Sequence, residues 1–353
     1  MQFGLFGSAA ARRPTSAESG EFDSSEGFRD FIDYNVEAEA LGFRGTFVVE
    51  HHFTGYGQVS ATLNLLTWLG ARTTNLRLGT AVIVLPWHNP VLLAEQAATL
   101  DLLSGGRLDF GIGKGYRYNE FAGFCVPMAE ADARFDECLG VIVKAWTSNE
   151  KFSHRGHYWQ FDEVVVEPPT AQRPHPPIWM GAGGESSVRR CAEKGYNLLL
   201  GQYASPADVG RSIAAYKAAV EASGRRFDPL SVGVTRAFFV ADSAAEKEAA
   251  LERRLANRVR QLKLATQPDG TVHGGPDRAT GDPDAVNRNS AMYGSPDDIA
   301  QKLKELRAAG VGYVLINGGG SGGGARGRAS LRRFAAEVMP HFIDEEPAKQ
   351  AAE

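Results

Sequence analysis

Apolar and polar positions alternate with two different periods along this chain, and the two kinds of segment follow one another almost without a break. Short apolar runs of strand length fall at 2–6, 45–52, 77–85, 107–113, 177–182, 196–201, 231–241 and 312–317. Between them, apolar residues recur every three or four positions, as one face of a helix requires. Residues 26–42 show the pattern, with Phe28, Phe31, Ile32, Val36 and Leu41 on one stripe. Further helices are predicted over 60–72, 91–103, 130–148, from near Ser186, and over 206–223, 243–263, 295–309 and 328–341. Ser205-Pro206 gives one of them a cap and a first-turn proline. Repeated strand–helix units argue for a parallel sheet with helical crossovers. Eight of them in one chain favour a closed (β/α)8 TIM barrel over an open sheet.

Two stretches break the rhythm. Residues 151–169 read as an inserted β-hairpin, and 266–293, rich in Gly, Pro, Asp and Asn, as a long loop. A loop of that length in a compact domain is an active-site lid or a disordered segment. The glycine run Gly318–Gly324 reads as a linker or as a loop shaped around a phosphate. One barrel domain is therefore expected over 1–343, with a frayed tail at 344–353.

Composition narrows the partners. The chain has 353 residues, 43% hydrophobic and 23% charged, with a net charge of −4. That balance suits an ordinary globular enzyme and offers no basic footprint for nucleic acid. No apolar run is long enough for a membrane span. Cys125, Cys138 and Cys191 form no CxxC pair and suggest free thiols. The start, Met1–Gly7, is too short and uncharged for a signal sequence, so a cytoplasmic location is expected.

Four segments could carry chemistry. Glu50-His51-His52 stands at the end of the second predicted strand, the end where barrel enzymes build their sites. Alternation puts Glu50 and His52 on one face and His51 on the other. A rim-exposed histidine pair is the plainer reading; acid–base work near neutral pH is the functional one. A metal needs a further ligand, and His88, His154, His157 and His175 repeat no ligand spacing, so no metal is expected. Gly79-Thr80-Ala81-Val82 offers small residues to a flat ligand, or simply small core positions. Gly111-Ile112-Gly113-Lys114-Gly115 ends the fourth strand with glycines for close approach and Lys114 as a point charge. Gly183-Gly184-Glu185-Ser186 runs a glycine turn into a helix start, where exposed N–H groups favour an anion.

Taken in order, Val49–Thr54, Leu78–Pro86, Leu103–Gly115 and Gly183–Ser186 resemble the bacterial luciferase-like flavin monooxygenases. The resemblance implies a barrel that binds reduced FMN at its C-terminal rim, either tightly or as a diffusible co-substrate. The reduced flavin would react with O2 to give a flavin hydroperoxide that oxygenates a substrate. His51 would be the acid–base residue, supported by His52 and Glu50. Ala81-Val82 would stand where the family has a cis peptide against the flavin ring. Gly113, Lys114, Gly183, Gly184, Glu185 and Ser186 would hold the phosphate, although Lys114 stands where the luciferase light-emitting subunit has arginine. The 266–293 loop lies where the family carries its lid. With no nicotinamide fingerprint in the chain, a separate NAD(P)H:flavin reductase is the implied partner.

Two rivals share the fold: a deazaflavin-dependent dehydrogenase and a flavin-binding protein without turnover. A metal-dependent hydrolase is more distant. Phe6, Tyr56, Trp87, Tyr116, Tyr118 and Trp179 suggest an aromatic pocket for a small hydrophobic substrate. Leu63, Leu65, Leu66, Trp68 and Leu69 make the second helix apolar enough for a homodimer interface, or for packing on its own barrel.

Overall fold

The eight apolar runs become eight parallel strands that close on themselves. The computed structural model describes residues 1–11, 24–53, 59–271, 282–318 and 324–343. The barrel strands are β1 (Gln2–Gly7), β2 (Gly45–Val48), β3 (Arg77–Thr80), β4 (Leu108–Gly113), β5 (Ile178–Gly181), β6 (Asn197–Leu200), β7 (Val232–Val240) and β8 (Tyr313–Asn317). Each pairs in parallel with the next, and β8 pairs with β1 through Gln2 opposite Tyr313, which completes the ring. The chain is a (β/α)8 TIM barrel.

Alternation along the strands separates two apolar layers. Inside the barrel, Phe47, Trp179, Leu199, Tyr313 and Leu315 pack together. Phe47 meets Trp179 edge-on at 5.2 Å between ring centroids. Gly79 makes room, since a Cβ there would lie 2.4 Å from the Phe47 ring. Leu78, Phe110, Ile178, Leu198, Val234 and Val314 belong to the larger core between strands and helices.

Two strands differ from their predicted length where the site begins. β2 stops at Val48, so Glu50-His51-His52 lie just past the strand rather than on it. The 77–85 run is interrupted by a cis peptide at Ala81-Val82 and resumes as Ile83–Val84, which pairs with the end of β4. Thr80 spans the interruption: its hydroxyl donates to Gly111 O (2.7 Å) and accepts from Gly111 N (2.8 Å). A Cβ on Gly111 would lie 1.7 Å from Thr80 O, so only glycine fits this crossing.

The stretch 266–293 is not loop throughout. Asp282 caps a helix at Pro283–Ser290 by accepting from Ala285 N, and Met292–Gly294 adds a short strand beside β7. Its Pro, Asp and Asn read as breakers, but the Asp-Pro pair serves as cap and first turn. Residues 272–281 lie outside the described residues, as do 319–323 of the glycine run and the tail 344–353. The hairpin strands are Phe152–Arg155 and Gln160–Val164, and Glu137 fixes their turn by accepting from His157, Tyr158 and Trp159 N–H groups. The last predicted helix starts earlier, at Gly324, and gives way after Arg333 to a π-turn over Phe334–Val338. No helix among the described residues is long and apolar enough to cross a membrane.

Candidate active site

Beyond β2 the chain carries three ionisable groups into two separate arrangements, as alternation demands. Glu50 is 2% exposed and sits on one side. Its Oε1 accepts from Trp87 Nε1 (2.8 Å), His52 Nε2 (3.0 Å) and His88 Nε2 (3.0 Å), while Oε2 accepts from Val84 N (3.2 Å). Burial alone would push this carboxyl up, but the bonds from His52, His88 and Trp87 outweigh it and hold it at about 2. Glu50 is thus a charged hub tying the segment after β2 to the segment after β3. His52 lies edge-on to Phe124 at 4.7 Å, and Phe124 stacks on Trp87 at 5.1 Å, which makes an aromatic wall.

On the other side His51 turns to the helix Tyr118–Gly123. Its Nδ1 lies 3.0 Å from Glu120 Oε1, which also accepts from His52 N at 3.0 Å. A carboxylate only accepts, so Nδ1 carries the hydrogen and Nε2 of the neutral ring is left with its lone pair. Nε2 makes no hydrogen bond to any described residue. Arg117 stands 3.7 Å from Glu120, both side chains being 2% exposed. Burial lowers the His51 pKa, the Glu120 bond opposes this, and Arg117 adds to the lowering; the net direction is down. His51 is therefore a neutral, partly exposed imidazole at neutral pH, in the state a proton acceptor needs.

Glu120 and Arg117 were not singled out from the sequence. Their only signal is an i,i+3 Arg–Glu pair opening a short helix after β4, a pattern that ordinary helices share. His88 was noted only as a non-ligand, and its bond to Glu50 depends on the turn after Ile83–Val84.

The remaining candidates surround the same rim. Ala81 N donates to Val48 O at 2.8 Å, so the cis peptide lies beside the end of β2. Ala81 and Val82 pack on the barrel's inner cluster and stay partly exposed. Gly113 is needed by Val82: a Cβ there would lie 2.5 Å from Val82 Cγ2. Together these give a shallow floor of small side chains, of a size a flat ring fits.

Lys114 does not point freely at a ligand. Its Nζ bonds Asp132 at 2.8 Å, and both side chains are half or more exposed. Such a pair contributes little and exchanges readily for a phosphate. Asp136, one turn further on the same helix (Ala131–Thr147), pairs with Arg190 of the helix Glu185–Glu193. Residues four apart on a helix are about 6 Å apart, so Lys114 and the last turn of the helix Glu185–Glu193, which carries Arg190, flank one helix face. Gly183, Gly184, Glu185 and Ser186 are exposed at the start of that helix. Ser187 Oγ accepts from Gly184 N (3.2 Å) and ties the turn. First-turn N–H groups of a helix have no intrahelical partner and favour an anion. The Glu185 side chain is engaged by Arg189 at 3.0 Å, so its contribution to an anion would be its backbone N–H. The residues present fit a flat ring with a phosphate tail.

Of the aromatic candidates, Trp87 and Trp179 are fixed as described, and Phe6 packs on the inner cluster. Tyr56 lies outside the described residues.

Comparison with known proteins gives the family. The luciferase-like monooxygenase family model matches residues 1–312. The oxygenase component of a flavin-dependent trigonelline monooxygenase from Acinetobacter baylyi is 25% identical over 334 residues, 90% of each chain. An FMNH2-dependent dimethylsulfone monooxygenase from Pseudomonas putida is 26% identical, with 91% of each chain covered. The crystal structure of the monooxygenase RslO1 from Streptomyces bottropensis superposes with a TM-score of 0.82 at 26% identity, covering 97% of this chain and 100% of that one. A barrel of this topology, a cis peptide beside the second strand and a family match over most of the chain lead to one conclusion: the protein belongs to the luciferase-like monooxygenase family.

Proposed function

We propose that this chain is the oxygenase of a two-component system, taking reduced FMN from a separate NAD(P)H:flavin reductase and oxygenating a small organic substrate. The observation that carries the reading is the neutral His51, oriented by Glu120 and standing three residues past Val48, whose carbonyl accepts from Ala81 N. FMN, when bound, supplies the activation of O2. Ala81 and Val82 would take the flavin ring. Lys114 and the Glu185 and Ser186 N–H groups would take its phosphate. Nε2 of His51 accepts a proton from the reacting group and returns it, and the Trp87–Phe124–His52 wall keeps water from the site. His52 and Glu50 hold this arrangement. Cys138 and Cys191 are buried free thiols, which fits our reading of a cytoplasmic protein.

The test is anaerobic titration with reduced FMN, reduced riboflavin and a reduced deazaflavin. FMN is expected to bind, and Lys114→Ala is expected to weaken FMN about tenfold without affecting riboflavin. Binding of the deazaflavin with none of FMN would replace the oxygenase reading by hydride transfer.

We also propose a homodimer. Leu63, Leu65, Leu66 and Leu69 are spent on the chain's own barrel, but Trp68 is 63% exposed. On the neighbouring helix Pro90–Leu103, Leu92 and Leu103 are 53% and 70% exposed. Large exposed apolar groups on adjoining helices mark an interface. Light scattering should give twice the chain mass, and Trp68→Glu with Leu103→Glu should give one; a monomeric wild type would contradict the proposal.

A further inference from the structure

The helix after β7, Ala244–Ala265, has 22 residues and so spans about 33 Å. Its first turns are held at the outside of the barrel, where Lys247 pairs with Asp298 and Glu246 with Arg326. It also packs against Tyr118–Gly123, the helix that carries Glu120 and follows β4 across the mouth. With the first turns anchored outside, the later turns are the ones that reach the rim.

Those turns carry a buried cationic cluster. Arg254 and Arg258 are 7% and 4% exposed, and their guanidiniums lie 4.5 and 4.2 Å from the centroid of one ring, Tyr203. Tyr203 follows β6, at the C-terminal rim. Arg236, 2% exposed, lies two residues past the point where β7 pairs with the last residue of β6. It bonds only backbone carbonyls, of Gly201 (3.2 Å), Thr235 (2.8 Å) and Ala204 (2.7 Å). Burial and then the charge of Arg254 push its pKa down to about 10. Arg254 donates to Asn287 Oδ1 at 2.6 Å and Ser290 Oγ at 3.3 Å. Nε and Nη1 of Arg258 are buried and have no hydrogen-bond partner among the described residues. Neither Arg236 nor Arg258 pairs with a carboxylate among the described residues.

A buried guanidinium keeps its charge, and buried charges are normally paired. Carbonyl oxygens solvate Arg236 and a ring face covers Arg258 without neutralising either, and the unused donors of Arg258 point to an absent acceptor. We infer that Arg258, with Arg254 and Tyr203, forms a binding site for an oxyanion (carboxylate, sulfonate or phosphate) borne by the substrate. The proposed flavin-phosphate cradle follows β4 and β5, whereas this cluster follows β6 and β7, so the anion belongs to a second ligand. The substrate is then amphipathic, its charged end held by Arg258 and its apolar part toward the aromatic wall. Naming the anion as the substrate's rests on the oxygenase reading; the site itself does not.

The probe is sodium sulfate, titrated calorimetrically at constant ionic strength into the full-length wild type, Arg258→Met and Arg258→Lys. Sulfate should bind the wild type, bind Arg258→Met about tenfold or more weakly, and recover in part with Arg258→Lys. Equal affinity in a cooperatively folded Arg258→Met overturns the site. Should Arg258→Met not fold, selenate-soaked wild-type crystals decide: an anomalous peak within hydrogen-bond distance of Arg258 supports the site, and a bare guanidinium overturns it. FMN and riboflavin affinities in Arg258→Met separate the two sources. Both unchanged supports a substrate group; loss of FMN alone assigns the anion to the cofactor and overturns the substrate assignment. Sulfate binding in a protein that takes no flavin would leave this site standing while the oxygenase reading fails.

Discussion

His51→Ala is expected to lower product formation about 100- to 10,000-fold, the usual worth of a positioned acid–base group, with the fold and FMN affinity little changed. The ring is only partly buried and its one side-chain bond among the described residues is to Glu120, so its loss removes little packing. Glu120→Leu should produce a large part of the same defect. Without the carboxylate, Nδ1–H has no fixed acceptor, and the ring loses the tautomer that leaves Nε2 open. The two changes should not add: the double variant should resemble His51→Ala, because both act on one proton-transfer unit. The pH dependence follows from signs. Burial holds the His51 pKa below the ordinary histidine value of 6.5, so the neutral ring persists below that pH and activity should hold on the acid side. Glu120 opposes the lowering, so Glu120→Gln, which keeps an acceptor and removes the charge, should move the acid limb to still lower pH. Turnover profiles of the wild type and the Gln variant measure this directly. An acid limb that stays in place would mean that another group is being titrated.

Glu50→Ala is expected to destabilise the protein by about 3 to 5 kcal/mol, the range for removing one member of a buried charged network. Trp87 Nε1, His52, His88 and Val84 N would all lose their acceptor at once. Each buried donor left unsatisfied costs about 1–3 kcal/mol, less whatever water recovers. The acid response is a second consequence. The folded carboxyl sits at about 2, below the ordinary glutamate value of 4.5, so the charged form is the stabilised one. That contribution is fully present above pH 4.5 and is lost as pH falls toward 2. Denaturant melts at neutral pH and across that acid window should show the wild type losing stability that Glu50→Ala never had. Parallel acid curves for the two proteins would contradict the assignment.

The barrel was legible because its signal repeats. Eight apolar runs separated by helical periods leave few alternatives, and each pairs where the order requires. The division of Glu50 and His52 from His51 was legible too, since side-chain alternation persists into the residues just past β2. What the sequence hid was tertiary. Nothing local ties Glu120 to His51, 69 residues earlier, or gathers His88 and Trp87 onto Glu50. Lys114 could be read as a charge near the rim, but not as the partner of Asp132. The helix Pro283–Ser290 was missed because cap residues and loop residues are the same amino acids. Leu63, Leu65, Leu66, Trp68 and Leu69 were read together as an interface or as packing on the barrel, and only the folded chain shows that Trp68 alone of them faces outward.

The most direct test of the central claim is rapid mixing of the protein, loaded with reduced FMN under nitrogen, with oxygenated buffer. Oxidised flavin should appear more slowly than in free FMN, after a transient absorbing in the near ultraviolet, and His51→Ala should alter the lifetime of that transient. Single-phase reoxidation at the rate of free FMN, identical in wild type and His51→Ala, would contradict it.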